Sequence, residues 1–196
     1  MIAALYLDLS RPNPYQSLGC DCWDATRDAT LYAGPFPVVA HPPCGPWSRL
    51  KAFCGDELLA QKHLAPLAVQ QVRRWGGVLE HPAGSELGAY AGLPLPGGLP
   101  DAYGGFTLAV EQWRWGHRAI KPTWLYIVGV DPAHIPAIPN PASERPAGSS
   151  ARTVGGAKAG GQRSMLERLP KSQRHLTPPA FAAWLVRVAA LVRANF

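Results

Sequence analysis

Two residues of this chain stand where chemistry is commonly done, Cys44 and Glu80. Cys44 lies in the run Pro37-Val38-Val39-Ala40-His41-Pro42-Pro43-Cys44-Gly45-Pro46-Trp47-Ser48. The apolar start of that run reads as a short buried strand, because β-branched residues fill it and prolines bound it. The paired prolines remove backbone donors and fix φ, so Cys44 falls on a stiff turn at the strand's carboxyl end. Open α/β sheets hold their ligands and reactive groups there. A rigid, partly exposed thiol at such a point suits a nucleophile. A core thiol that happens to follow a strand is the plainer alternative.

Trp75-Gly76-Gly77-Val78-Leu79-Glu80-His81-Pro82 is a second short strand, closing on a carboxylate with a proline just beyond. Two neighbouring parallel strands joined by a helix bring Cys44 and Glu80 to one edge. A thiol beside a carboxylate is what addition to a ring needs when a ring nitrogen must be held at the same time.

The rest of the chain supplies the elements that position this pair. Ile2 to Leu9 reads as the first buried strand, and Glu57 to Trp75 as the crossover helix, kinked or divided at Pro66. That crossover makes the two reactive strands parallel. Gly84 to Gly105 reads as loop with at most one short helix, and Phe106 to Val110 and Trp124 to Val130 as strands. Thr177-Pro178-Pro179 opens a last helix with a hydroxyl cap and an early proline. Phe181, Trp184, Leu185, Val188, Leu191 and Val192 then repeat at helical spacing. Residues 1–130 form the core, 131–173 a Pro/Gly-rich basic flexible segment, and 174–196 a helix docked on the core.

The 196 residues suffice for one domain, and a net charge of +6 favours a polyanionic partner, with plain solubility as the alternative. No leader and no membrane-length apolar run is read, and the four cysteines make no disulfide framework, so the expectation is cytoplasmic. Cys20 and Cys22 with His41 and Cys44 match no common zinc spacing, and Cys44 would be lost as a nucleophile, so small buried thiols and no metal are expected. Asp24 and Asp28 read as cofactor carboxylates or as helix caps. Arg145, Arg152, Lys158, Arg163, Arg168, Lys171 and Arg174 form a run of cations suited to phosphates, or else a solvated linker.

Four pieces in order resemble the DNA cytosine-5 methyltransferases. They are Pro43-Cys44, Leu79-Glu80-His81-Pro82, Gln112-Trp113-Arg114 with Tyr126-Ile127-Val128-Gly129, and Arg174-His175-Leu176-Thr177-Pro178. The resemblance implies an α/β fold, a reduced Rossmann-like core with a mostly parallel sheet and flanking helices, in a compact, phage-type member. It implies DNA as partner, S-adenosyl-L-methionine as cofactor, and Cys44, Glu80 and Arg114 as catalytic residues. Ser48, Arg49, Gln112, Arg118, Lys121, Arg174 and Thr177 fall at substrate-binding positions, and Asp8, Asp24, Asp28 and Pro43 at cofactor positions. Arg118 or Lys121 stands in for a second arginine, because Gly116 occupies that arginine's position. The glycine-rich cofactor turn is absent after the first strand, and the stretch before Cys44 leaves little room for a second strand. With no target-recognition domain, a partner protein would supply specificity. Three functions stay open: cytosine-5 methylation, the same chemistry with another donor or on a free pyrimidine nucleotide, and a non-catalytic DNA-binding or anti-restriction role.

Overall fold

A computed structural model describes residues 1–48, 51–142, 173 and 175–193. Six strands form one sheet: β1 Ala3–Leu5, β2 Asp21–Cys22, β3 Val38–Ala40, β4 Gly77–Pro82, β5 Phe106–Glu111 and β6 Pro122–Val128. Their order is β2-β1-β3-β4-β6-β5. The first four are parallel neighbours, while β6 runs antiparallel to both β4 and β5. Five strands therefore point one way, with β6 reversed among them.

Alternation along the strands sends side chains to two buried faces. Ala4, Val39, Val78, Leu125 and Ile127 pack on one face with Phe181, Trp184, Leu185 and Val188. These last four belong to a helix (α5) spanning Pro179–Ala189. Leu5, Val38, Ala40, Leu79 and Tyr126 pack on the other face with Ala65, Ala68, Val69 and Val72. That face is covered by α3, Leu64–Trp75. Three further short helices lie among the described residues: α1 Pro14–Ser17, α2 Asp56–Ala60 and α4 Leu87–Tyr90. The fold is thus α/β, with a mostly parallel mixed sheet and flanking helices. Among the described residues, no helix is long and apolar enough to cross a membrane.

Several expected boundaries move. The first strand stops at Leu5 because Tyr6 turns into the left-handed region, at φ 61°. A second strand does fit before Cys44, because two residues, Asp21 and Cys22, are enough to pair with β1. The crossover breaks at Gln61–His63 into a 3-10 turn, and Pro66 lies within the first turn of α3, where its missing N–H costs nothing. The cap of α5 is Pro178, with no side-chain bond, so Thr177 is not the cap. The described part of the Pro-rich segment lies on the core. Ile135 and Ile138 pack there, and the Trp184 indole donates to the Pro136 carbonyl at 3.2 Å.

Gly77 sets the spacing of the two reactive strands. Its φ is 118°, and a Cβ there would lie 2.0 Å from the Val38 carbonyl oxygen. Only glycine lets β3 and β4 approach so closely. The register pairs Ala40 with Leu79, so His41 and Glu80 come next, side by side.

The short α1 depends on its cap. The Asn13 side chain accepts from the Tyr15 amide at 3.2 Å, while Gln16 reaches back to the Asn13 amide at 3.3 Å. Asn13→Ala is expected to cost about 1 kcal/mol in urea denaturation, a typical loss for a helix cap. An unchanged midpoint would show that tertiary packing of Tyr15 alone holds α1.

Candidate active site

The strand order determines where a crevice opens. From β1 the chain passes to β2 on one side and returns to β3 on the other. Such switch points, outside the carboxyl ends of the strands, are where open α/β sheets bind ligands. A cavity of about 390 Å³ lies there, lined by Tyr6 and Asp8 after β1 and by Pro43 and Cys44 after β3. That volume falls in the usual range for small-molecule sites. Glu80 stands beside them, and Lys121 and Thr177 complete the wall.

Glu80 is held from three sides. Its Oε2 meets His41 Nδ1 at 3.2 Å, and its Oε1 accepts from Gln112 Nε2 at 3.0 Å and Thr123 Oγ1 at 3.4 Å. Behind His41, the Tyr15 hydroxyl lies 2.6 Å from Nε2. Burial by itself would raise the Glu80 pKa. The hydrogen bond from His41 and the charge of Lys121 outweigh burial and bring it down to about 2. Glu80 is therefore a carboxylate and accepts only.

Cys44 sits at φ −92°, ψ −17°, opening the 3-10 turn Gly45–Trp47. The thiol is half-buried. Burial and then the Glu80 charge push its pKa up, against a smaller pull downward from Lys121. Cys44 rests as a thiol at neutral pH, and its proton must leave as the sulfur reacts.

Lys121, the residue before β6, has a left-handed backbone, φ 45°, and its ammonium donates to the Leu176 carbonyl at 3.2 Å. This bond draws residues 175–177 over the cavity mouth, where His175 and Thr177 line it. Arg118 does the same one step away, donating to Gln173 at 2.9 Å, and does not line the cavity.

Other sequence expectations are corrected. Arg114 points away from the cavity and donates to the Pro139 carbonyl at 3.2 Å, where it holds the Pro-rich segment. Gln112 is fully buried, so it supports Glu80 and does not face a substrate. Asp24 and Asp28 accept from backbone amides of Arg27 and Thr30 and cap turns outside the cavity. Ser48 closes the turn after Cys44, its amide donating to Gly45 at 3.0 Å, and is not a lining residue. Asp8 and Pro43 do line the cavity. Arg49, Arg174 and the cations between 145 and 171 lie outside the described residues.

Sequence reasoning weighed His41 only as a metal ligand and missed both its place beside Glu80 and Tyr15 behind it. His41 was legible in principle, three residues before Cys44 at the same strand end. Tyr15 carried no such signal. No three His, Cys, Asp or Glu side chains among the described residues are arranged to hold a metal ion. A second cavity, about 270 Å³, lies on the α3 face and meets the first at Pro82. Its lining holds neither thiol nor carboxylate, and Cys44 and Glu80 both line the first.

No protein-family model matches this chain, and no curated protein or solved structure does either.

Proposed function

We propose that this chain modifies cytosine in DNA at C5, with Cys44 as nucleophile and Glu80 as the group that holds the ring. The observation behind the reading is that Cys44 and a locked carboxylate share one cavity, at the ends of adjacent parallel strands. The base is turned out of the duplex, since its ring cannot be reached while stacked. The Cys44 sulfur bonds to C6, the thiol proton passes to the N3 side, and the electrons of the 5,6 double bond move to C5. Glu80 accepts hydrogen bonds from N3–H and the exocyclic amine and offsets the charge that develops. C5 then bonds to a one-carbon electrophile. The electrophile's leaving group departs with its electron pair, the C5 proton passes to water, and Cys44 is expelled as thiolate and takes back the N3 proton, so that ring and thiol are both restored. The net charge of +6 supports a polyanionic substrate, and a partner protein supplies site selection.

On this reading the sheet is a reduced Rossmann-like methyltransferase core. S-adenosyl-L-methionine is the donor that the resemblance implies, and the residues after β1 do not fit it. A donor cradle needs bare backbone, but Tyr6 makes the left-handed bend with a full side chain, and its hydroxyl donates to Gln71 at 2.7 Å. The Asp8 carboxylate is already taken by Ser10 and Arg11. This favours a second reading, in which the same thiol addition serves another one-carbon electrophile or a free pyrimidine nucleotide.

Nucleoside mass spectrometry on DNA from cells expressing the wild type and Cys44→Ala tests both. A modified cytidine is expected in the wild type alone. 5-Methylcytosine identifies a methyl donor, and another mass identifies another electrophile. No Cys44-dependent product, either in DNA or on deoxycytidine monophosphate, overturns the enzymatic reading in favour of DNA binding alone.

A further inference from the structure

The two oxygens of Glu80 are treated differently. Oε1 receives two neutral donors, Gln112 and Thr123. Either can also serve the carbonyl oxygen of a protonated acid, so neither keeps the proton off. Oε2, where an acid proton would sit, faces only His41 Nδ1 among these partners. Which ring nitrogen of His41 carries hydrogen therefore decides what Oε2 meets, and that is set on the far side of the ring. There the Tyr15 hydroxyl is fully buried, and burial first and the Glu80 charge second push its pKa well up. Nε2 is the one partner of that hydroxyl among the described contacts, so the arrangement that satisfies both groups has the phenol donating to Nε2 and the hydrogen on Nδ1, pointing at Glu80. In the other tautomer a bare nitrogen would face Oε2, and Glu80 would have to hold the proton itself.

We propose that His41, with its tautomer set by Tyr15, is a positioning residue that keeps Glu80 a hydrogen-bond acceptor for the ring. The other ionisable groups that act on Glu80 are Lys121, just before β6, and His81, the next residue of β4. Cys44, on the turn after β3, is coupled to the same charge. All three remain in the variants below, so a change in Glu80 reports the His41–Tyr15 pair. The consequence for activity rests on the cytosine reading, but the protonation of Glu80 does not.

The test is carbon NMR of protein labelled with [13C]glutamate, in which Glu80→Gln identifies the Glu80 carboxyl signal. That signal is expected to stay flat from pH 8 to pH 4 in the wild type. In His41→Leu its midpoint should rise by at least about one pH unit, a tenfold gain in proton affinity. His41→Gln keeps an N–H donor and should restore much of the wild-type behaviour. Tyr15→Phe, which removes one oxygen and serves if His41→Leu does not fold, should raise the midpoint less. Its imidazole nitrogen shifts should show hydrogen moving to Nε2. A Glu80 midpoint unmoved in both His41→Leu and Tyr15→Phe overturns the proposal. Where the wild type modifies cytosine, the acid limb of that activity should climb with the midpoint. A wild type without activity sinks the cytosine reading and leaves the titration to decide this one.

Discussion

Glu80→Gln is expected to abolish base modification while making Cys44 more reactive toward iodoacetamide. The two effects have one origin. The carboxylate raises the Cys44 pKa, second only to burial, so replacing it with an amide lowers that pKa and leaves burial as the main opponent of the pull of Lys121. At pH 8 the thiolate fraction, and with it the alkylation rate, should grow by roughly three- to tenfold. Modification should fall by about a hundredfold or more, because the amide cannot match the charge developing on the ring. A distorted site would slow both reactions, so the opposite movement separates lost chemistry from lost structure. Retained modification in Glu80→Gln would remove Glu80 from the mechanism.

Acid is expected to weaken the fold in a window set by His81. The ring is buried, and neither nitrogen has a hydrogen-bond partner among the described residues. Burial lowers its pKa from 6.5 to about 4, against a smaller opposing effect of Glu80. Below pH 6.5 the unfolded chain takes up a proton that the folded chain refuses, so stability falls with pH until about 4. The loss across that window is roughly 3 kcal/mol. Glu80, lowered from 4.5 to about 2, extends the decline below it, again because the unfolded chain is protonated first. Melting temperatures from pH 7 to pH 4 should drop in the wild type and stay nearly level in His81→Leu. Leucine leaves no orphaned nitrogens, so the variant should be no less stable at pH 7. Parallel curves for the two proteins would show that His81 is not the titrating group.

The meeting of Cys44 and Glu80 in one cavity was legible because each half is written locally, as an apolar run stopped by proline. The strands β3 and β4 and the crossover between them followed from the same signals. Other features were hidden for identifiable reasons. Strand β2 has two residues, too few for any periodicity. The early stop of β1 depends on one non-glycine residue at positive φ, which no composition signal marks. Helix α1 is four residues held by a side-chain cap, so Tyr15 could not be set beside His41 from the sequence. Gln112 and Arg114 match a short motif in type and spacing, yet the 3-10 turn Gln112–Trp115 sends one under Glu80 and the other to Pro139. Motif spacing predicts neighbours along the chain, and it does not say which way a tight turn will face them.

The reversed direction of β6 has its own consequence for how this molecule can change. A parallel strand reaches the reactive edge as it ends, and what it contributes there comes from the loop that follows. Strand β6 reaches that edge as it begins, so Thr123 arrives on backbone already paired to Pro82 of β4 and Val110 of β5. Loops after β1 and β3 can lengthen or alter and so retune what enters the cavity. The side of Glu80 that β6 supplies is built into the sheet, and revising it would mean shifting the register of two strand pairs at once. The site thus joins an adaptable half to a half fixed by the sheet, and a change in what enters the cavity would come through the first.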